Sequence, residues 1–395
     1  MPIRVPELKQ MMRTQGAKKT CALITESLQR SAAGEIGHMK PSDFSLRDLA
    51  EGLVENGREW VAAMDPRNAG SSVMESMSTV DSTAFANITG QLLINEVMDA
   101  YNSPQFSISA LFRIISTRLN GERVPGIGKI GDQAQLVAEG MPFPHVGIGE
   151  DYIDTPATDK RGLIVPVTKE AIFFDRTGLL LERAREVGEA LGINKEKRCI
   201  DVLIGTTNNY KWKGTTYNTY QSSTPWINLL TGSGNDLVDW TDVEAAELLF
   251  ADITDPNTGE PIVISPSHLI ACPSKKHTIN RILNATEVRY TGSSAPSETL
   301  AANPLGGTYT GITSAWLQAR LVAGGVNATQ AKATWFLGDP NGAFRYMENW
   351  PITIVQAPQN SEAEFNQDIV ARFKASERGV PVAWNPRKMV KVTGY

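Results

Sequence analysis

Cysteine and histidine are scarce in this chain: Cys21, Cys199 and Cys272, with His38, His145, His268 and His277, are all that 395 residues hold. Three widely spaced cysteines build neither a disulfide framework nor a CxxC metal knuckle, and they suit a reducing compartment. The one close grouping is HLIACPSKKH, with Cys272 between His268 and His277. Zinc asks for a fourth ligand, or for three and an open position, and that short run does not supply it. Cys272, following an apolar run, reads instead as a small buried residue. GxSxG, HExxH and Walker signatures are also lacking, so hydrolase, zinc-protease and NTPase chemistry have no local support, and no cofactor or metal is expected. Because dispersed triads leave no motif, an enzyme of unrecognised mixed fold stays open as an alternative.

There is no basic excess either. Lys and Arg number 38 against 43 Asp and Glu, a formal charge of -5, which argues against a dedicated nucleic-acid binder. No uninterrupted run of about 18 apolar residues occurs, and MPIRVPELKQMMRTQGAKKT has no apolar core behind its basic residues. A membrane span and a signal peptide are therefore not expected. With 41% hydrophobic and 21% charged residues, the chain has the composition of a folded protein of two or three domains.

Helical spacing is clearest early. In PSDFSLRDLAEGLVENGREWVAAMD, Leu46, Leu49, Ala50, Leu53, Val54, Trp60 and Val61 share one face, with Asp43 or Ser45 placed to cap it. Such a face packs either on its own domain or on a neighbour as an assembly segment, and an amphipathic pattern does not choose between them. A Gly, Ser and Asn-rich linker from Asp65 to Met77 precedes a second helix, STVDSTAFANITGQLLINEVMDAY, which ends ahead of Pro104.

A long hairpin follows from about Arg123 to Val167. Pro142, Pro144, Gly147 and Gly149 suit a loop tip, and Leu163, Val165 and Val167 alternate as a returning strand does. GIGKIG at Gly126–Gly131 spells GxGxxG, but the prolines beyond it forbid the helix a dinucleotide site requires, so these glycines read as bending points. Glu150 and Asp151 read as solvated turn charges. From Asp175 to Gly205 a long helix is expected, with Leu180, Ala184, Val187 and Leu191 on its packing face and Glu182, Arg183, Arg185, Glu186 and Glu189 opposite. Gly188 and Gly192 form a GxxxG that indicates close helix packing, and Gly192-Ile193-Asn194 allows a break. Beyond it lie Asn, Thr and Tyr-rich loops, a helix at TDVEAAELLFADI, a strand at PIVISPSHLIACP and a loop at TGSSAPSETLAANPLGGTYTGITS.

AEGMPFP at the tip, VTKEAIFFD at the base, the amphipathic helix, and WFLGDPNGAFRYMENWPITIVQ with FNQDIVARFKASERGVPVAWNPRKMVKVTG at the end resemble tailed-bacteriophage major capsid proteins. The resemblance covers about residues 130–395, rests on order and spacing, and is nearest to Mu-like major head subunits. Encapsulin shells share that fold. The resemblance implies an α+β subunit: a helical segment over 1–70, an N-terminal arm over 71–122 and an extended hairpin loop over 123–167. It further implies a peripheral domain with a spine helix over 168–205 and 347–395, and an axial domain over 206–346. It implies self-assembly in hexamers and pentamers into an icosahedral head, with portal and scaffold or decoration proteins as partners and double-stranded DNA enclosed non-specifically, without a membrane. Assembly would take place in the bacterial host cytoplasm, and the protein would reside in the virion capsid. An encapsulin-type nanocompartment shell is the alternative.

The same resemblance assigns Glu139, Met141, Pro142, Phe143 and Pro144 at the loop tip to contact with a neighbouring subunit. Some relatives crosslink through a tip lysine; Phe143 stands at that position here, and neither Lys129 nor Lys160 matches it. The tip is therefore expected to hold its neighbour by apolar burial.

Overall fold

Met1–Ser103, Lys160–Asn194 and Trp350–Arg378 fold as one unit, and Pro104–Asp159, Lys195–Asn349 and Gly379–Tyr395 as another. The computed structural model describes residues 10, 11, 13–15, 17–32, 38, 40, 45–53, 57–63, 79–128, 136, 137, 139, 141, 151–290, 299–357 and 369–394.

The first unit is built on helices Ala17–Ala32, Leu46–Leu53, Gly57–Ala63 and Thr79–Tyr101, with the N-terminal part of the long helix Thr177–Ile204. Its core gathers Ile24, Leu28, Leu92, Leu93, Val165, Val167 and Phe373. Leu46, Leu49, Ala50 and Val61 join that core, so the amphipathic face near the N-terminus packs on its own chain. Ser45 caps it by accepting from the Asp48 N–H at 3.2 Å, and the Leu46 N–H reaches Thr177 Oγ1 at 2.7 Å. Asp43 and Val54 lie outside the described residues, as does the 65–77 linker. In the strand Asp159–Thr168, Val165 and Val167 are buried as expected, but Leu163 is exposed.

The long helix runs unbroken for 28 residues, about 42 Å at 1.5 Å per residue. No break occurs at Gly192, because Leu191 is held in the first core and Glu196, Cys199 and Ile200 are buried in the second unit. The helix stops at Gly205, where φ is +78°. There the Gly205 N–H meets the Val202 carbonyl at 3.2 Å and the Thr206 N–H meets that of Asp201 at 3.0 Å, a Schellman ending that favours glycine.

The second unit centres on a five-stranded sheet in the order Thr310–Thr313, His268–Ala271, Thr334–Gly338, Met389–Thr393, Leu229–Thr231. Every residue of Thr334–Gly338 is buried, as a central strand covered on both faces requires. Alternation sends Leu269, Trp335 and Leu337 to one core with Val243, Phe250 and Ile279, and Ile270 and Phe336 to another with Ile200 and Leu203.

Three sequence expectations are corrected here. The strand expected over PIVISPSHLIACP is confined to His268–Ala271, because Pro261 and Pro266 cannot donate to a ladder. The loop at TGSSAPSETLAANPLGGTYTGITS contains Thr299–Ala302, paired antiparallel with Glu287–Tyr290, and Thr310–Thr313; residues 291–298 lie outside the described set. Residues 379–395, grouped from sequence with the long helix's peripheral domain, fall in the second unit, where Met389–Thr393 pairs with Thr334–Gly338 and Leu229–Thr231. Apolar alternation marks a strand without specifying its partner.

Candidate functional site

Arg123–Pro125 and Tyr152–Asp154, which flank the stretch read from sequence as an extended loop, lie in a small four-stranded sheet in the order Arg123–Pro125, Tyr152–Asp154, Tyr210–Trp212, Thr215–Tyr217. Each pairing is antiparallel, with Val124 opposite Ile153 and Ile153 opposite Trp212. Ile153, Tyr210 and Trp212 face inward by strand alternation and meet Trp226, whose ring stands 5.5 Å from that of Tyr210 and 6.2 Å from that of Trp212. On the outer face Arg123 covers the Tyr152 ring at 3.9 Å and pairs with Asp154 at 3.0 Å. Both groups of that ion pair are solvent-accessible, so it adds little stability.

Asp151 is the residue whose sequence reading needs correction. Its carboxylate accepts from the Gly128 N–H and from the Trp212 indole N–H, and its carbonyl accepts from the Gly126 N–H at 3.0 Å. It is thus a partnered, half-buried group rather than a solvated turn charge. Gly126 and Gly128 serve this close approach, since a β-carbon on either would overlap the Asp151 carboxylate. Glu150, Lys129 and Gly131 lie outside the described residues.

Behind this contact Arg387 donates to the Ile127 carbonyl at 2.6 Å and to Asp255 at 3.1 Å. Arg387 and Asp255 are each 2% exposed, a buried ion pair beside Ile127. Burial pulls the guanidinium below its ordinary range, against the opposing pull of Asp255. Burial likewise pushes the Tyr210 phenol well above its usual value, leaving it neutral at any physiological pH. Sequence reasoning missed Arg387 and Asp255, whose partners are remote in the chain; the glycines of GIGKIG were the only local signal.

Of the expected tip residues, Glu139 and Met141 are exposed, Met141 at 62%, and nearby Leu136 is fully exposed. Pro142, Phe143 and Pro144 lie outside the described residues. Lys160 is exposed at the start of Asp159–Thr168, a strand that pairs with Ile369–Ala383 and not, as the expected hairpin would have it, with the outgoing Arg123–Pro125. On the long helix Leu180, Ala184 and Leu191 are buried in the first unit, and Val187 packs against them.

The His268, Cys272 and His277 grouping does not converge. Cys272 is buried, its Sγ donates to the Ala331 carbonyl at 3.2 Å, and burial pushes the thiol up to about 11. His268 lies beside Ser267 Oγ at 2.8 Å, and burial lowers its pKa against the opposing field of Asp339. His277 is exposed. Among the described residues there is no group of three His, Cys, Asp or Glu able to hold a metal ion, and no helix long and apolar enough to cross a membrane.

A protein-family profile described as Phage capsid protein matches residues 152–392. No curated protein matches the chain. Solved structures similar to it include one described as Mycobacterium phage Bobi, at 13% identity and TM-score 0.41, covering 72% of this chain and 89% of that one. The capsid of cyanophage Pam1 is similar at 15% identity and TM-score 0.43, covering 70% and 84%. An encapsulin complex from Synechococcus elongatus is similar at 12% identity and TM-score 0.42, covering 74% and 88%.

Proposed function

Because the chain belongs to the phage capsid protein family, we propose that it is a major capsid protein, of the Mu-like kind, whose function is to assemble with copies of itself into an icosahedral head. The family match over residues 152–392 carries this reading. The exposed Leu136 and Met141 agree with it, since apolar side chains left in solvent bury area only against a neighbour. In this reading the tip, Glu139 to Pro144, reaches an adjacent subunit. The helix face of Leu180, Ala184, Val187 and Leu191 serves as the packing face of the spine helix within the first unit. Each contact is modest, and the closed shell is stable because many act together. The net charge of -5 suits a container that encloses DNA without gripping it, and portal and scaffold or decoration proteins complete the particle.

Negative-stain electron microscopy of the purified chain tests this. Closed shells or rings of capsomers are expected; a compact monomer at high concentration in physiological salt would overturn the reading.

A further inference from the structure

Three segments of the second unit meet at one carboxylate. Asp151 receives the Gly128 N–H on one oxygen and the Trp212 indole N–H on the other, while its backbone holds Gly126. Trp212 belongs to the strand next to Tyr152–Asp154, so the contact ties the outgoing chain, the returning chain and the fixed sheet together. On the neighbouring residue Ile127, Arg387 grips the carbonyl at 2.6 Å from a position 2% exposed. Lys213, one residue beyond Trp212, donates to Asn257 at 2.9 Å, and a β-carbon on Gly128 would overlap that asparagine.

We propose that Asp151 and Arg387 form a clasp that holds residues 126–128 against 151–154 and fixes the direction in which the extended loop leaves and re-enters the body. Both are positioning residues. Their role in assembly rests on the capsid reading; the clasp itself rests on geometry alone. The chemistry calls for aspartate. Two N–H donors aim at two oxygens, and a carboxylate accepts at both, whereas an asparagine of the same shape turns an NH2 group toward one of them. Glycine at 126 and 128 is the matching requirement on the other side. A loop held at one angle presents its tip to a neighbour at one place, and shell closure depends on repeating that angle in every copy.

The test compares the full chain with Asp151→Asn and with Trp212→Phe, which keeps an aromatic side chain but removes the indole N–H donor. Hydrogen exchange read by mass spectrometry is expected to speed up about tenfold or more at the amides of Gly126 and Gly128, with the five-stranded sheet unchanged. Electron microscopy of the same samples is expected to show open sheets or mixed sizes where the parent closes. Unchanged exchange at 126–128 in both variants overturns the clasp. Faster exchange with normal shells overturns its role in assembly. A parent that forms no particles overturns the capsid reading and the assembly role with it, while the exchange comparison still judges the clasp.

Discussion

Gly188 of the long helix sits against the Val97 carbonyl of the Thr79–Tyr101 helix, so closely that a β-carbon at position 188 would overlap that oxygen and stand 3.0 Å from the Ala100 β-carbon. Gly188 of GEALG is therefore a helix-packing position of the first unit.

Gly188→Ala is expected to destabilise the fold despite its better helix propensity. Overpacking costs about 1–3 kcal/mol and the propensity gain is about 1 kcal/mol, so the net loss is on the order of 1 kcal/mol. Gly178, with no atom within 4 Å of its missing β-carbon, is the control, and Gly178→Ala should be neutral or slightly stabilising. Urea denaturation reads both. A Gly188→Ala midpoint at or above that of the parent would show that the two helices separate without cost.

Cys272 makes stability depend on alkaline pH. Its folded pKa is about 11 against an ordinary 9.0, so both states hold the proton below pH 9 and the thiol is then without effect. Between pH 9 and 11 the unfolded chain loses its proton first, and stability falls as pH rises. Parent and Cys272→Ala should therefore converge in urea midpoint across that window, since only the parent carries this loss. Parallel midpoints from pH 8 to 11 would show that the thiol does not titrate differently on unfolding.

Removing Glu139–Gly149 is expected to leave a folded subunit that no longer closes shells. The small four-stranded sheet and all three cores lie outside the deleted stretch, and Glu139 and Met141 are exposed. Circular dichroism with electron microscopy checks both halves. An unfolded product, or particles like the parent's, would assign the tip another role.

The capsid resemblance sets Phe143 where some relatives carry a crosslinking lysine; in that reading, denaturing gels of assembled particles should show single subunits without a ladder. Phe143→Ala should lower the chaotrope resistance of particles, by less than the about 3–5 kcal/mol of a core Phe truncation. Particles equally resistant with alanine would place the anchor elsewhere; a ladder would direct attention to Lys129 and Lys160.

By itself the sequence determined what depends on near neighbours. The helices Leu46–Leu53 and Thr79–Tyr101 and the start of the long helix follow from apolar residues three and four apart, from Ser45 as a cap and from Pro104 as a stop. Gly205 marked the helix end because a positive φ favours glycine. The order of segments was enough to indicate the capsid family. Only the tertiary structure decided which surfaces those segments met. It turned the N-terminal amphipathic face inward, placed Met389–Thr393 in the five-stranded sheet, and carried the long helix through Gly192. It also made Asp151 a partnered anchor and brought Arg387 to Ile127 across 260 residues of chain. A side chain's local pattern sets its backbone and its face, but its partner is set by closure of distant segments around shared cores, and no short stretch of sequence encodes that closure.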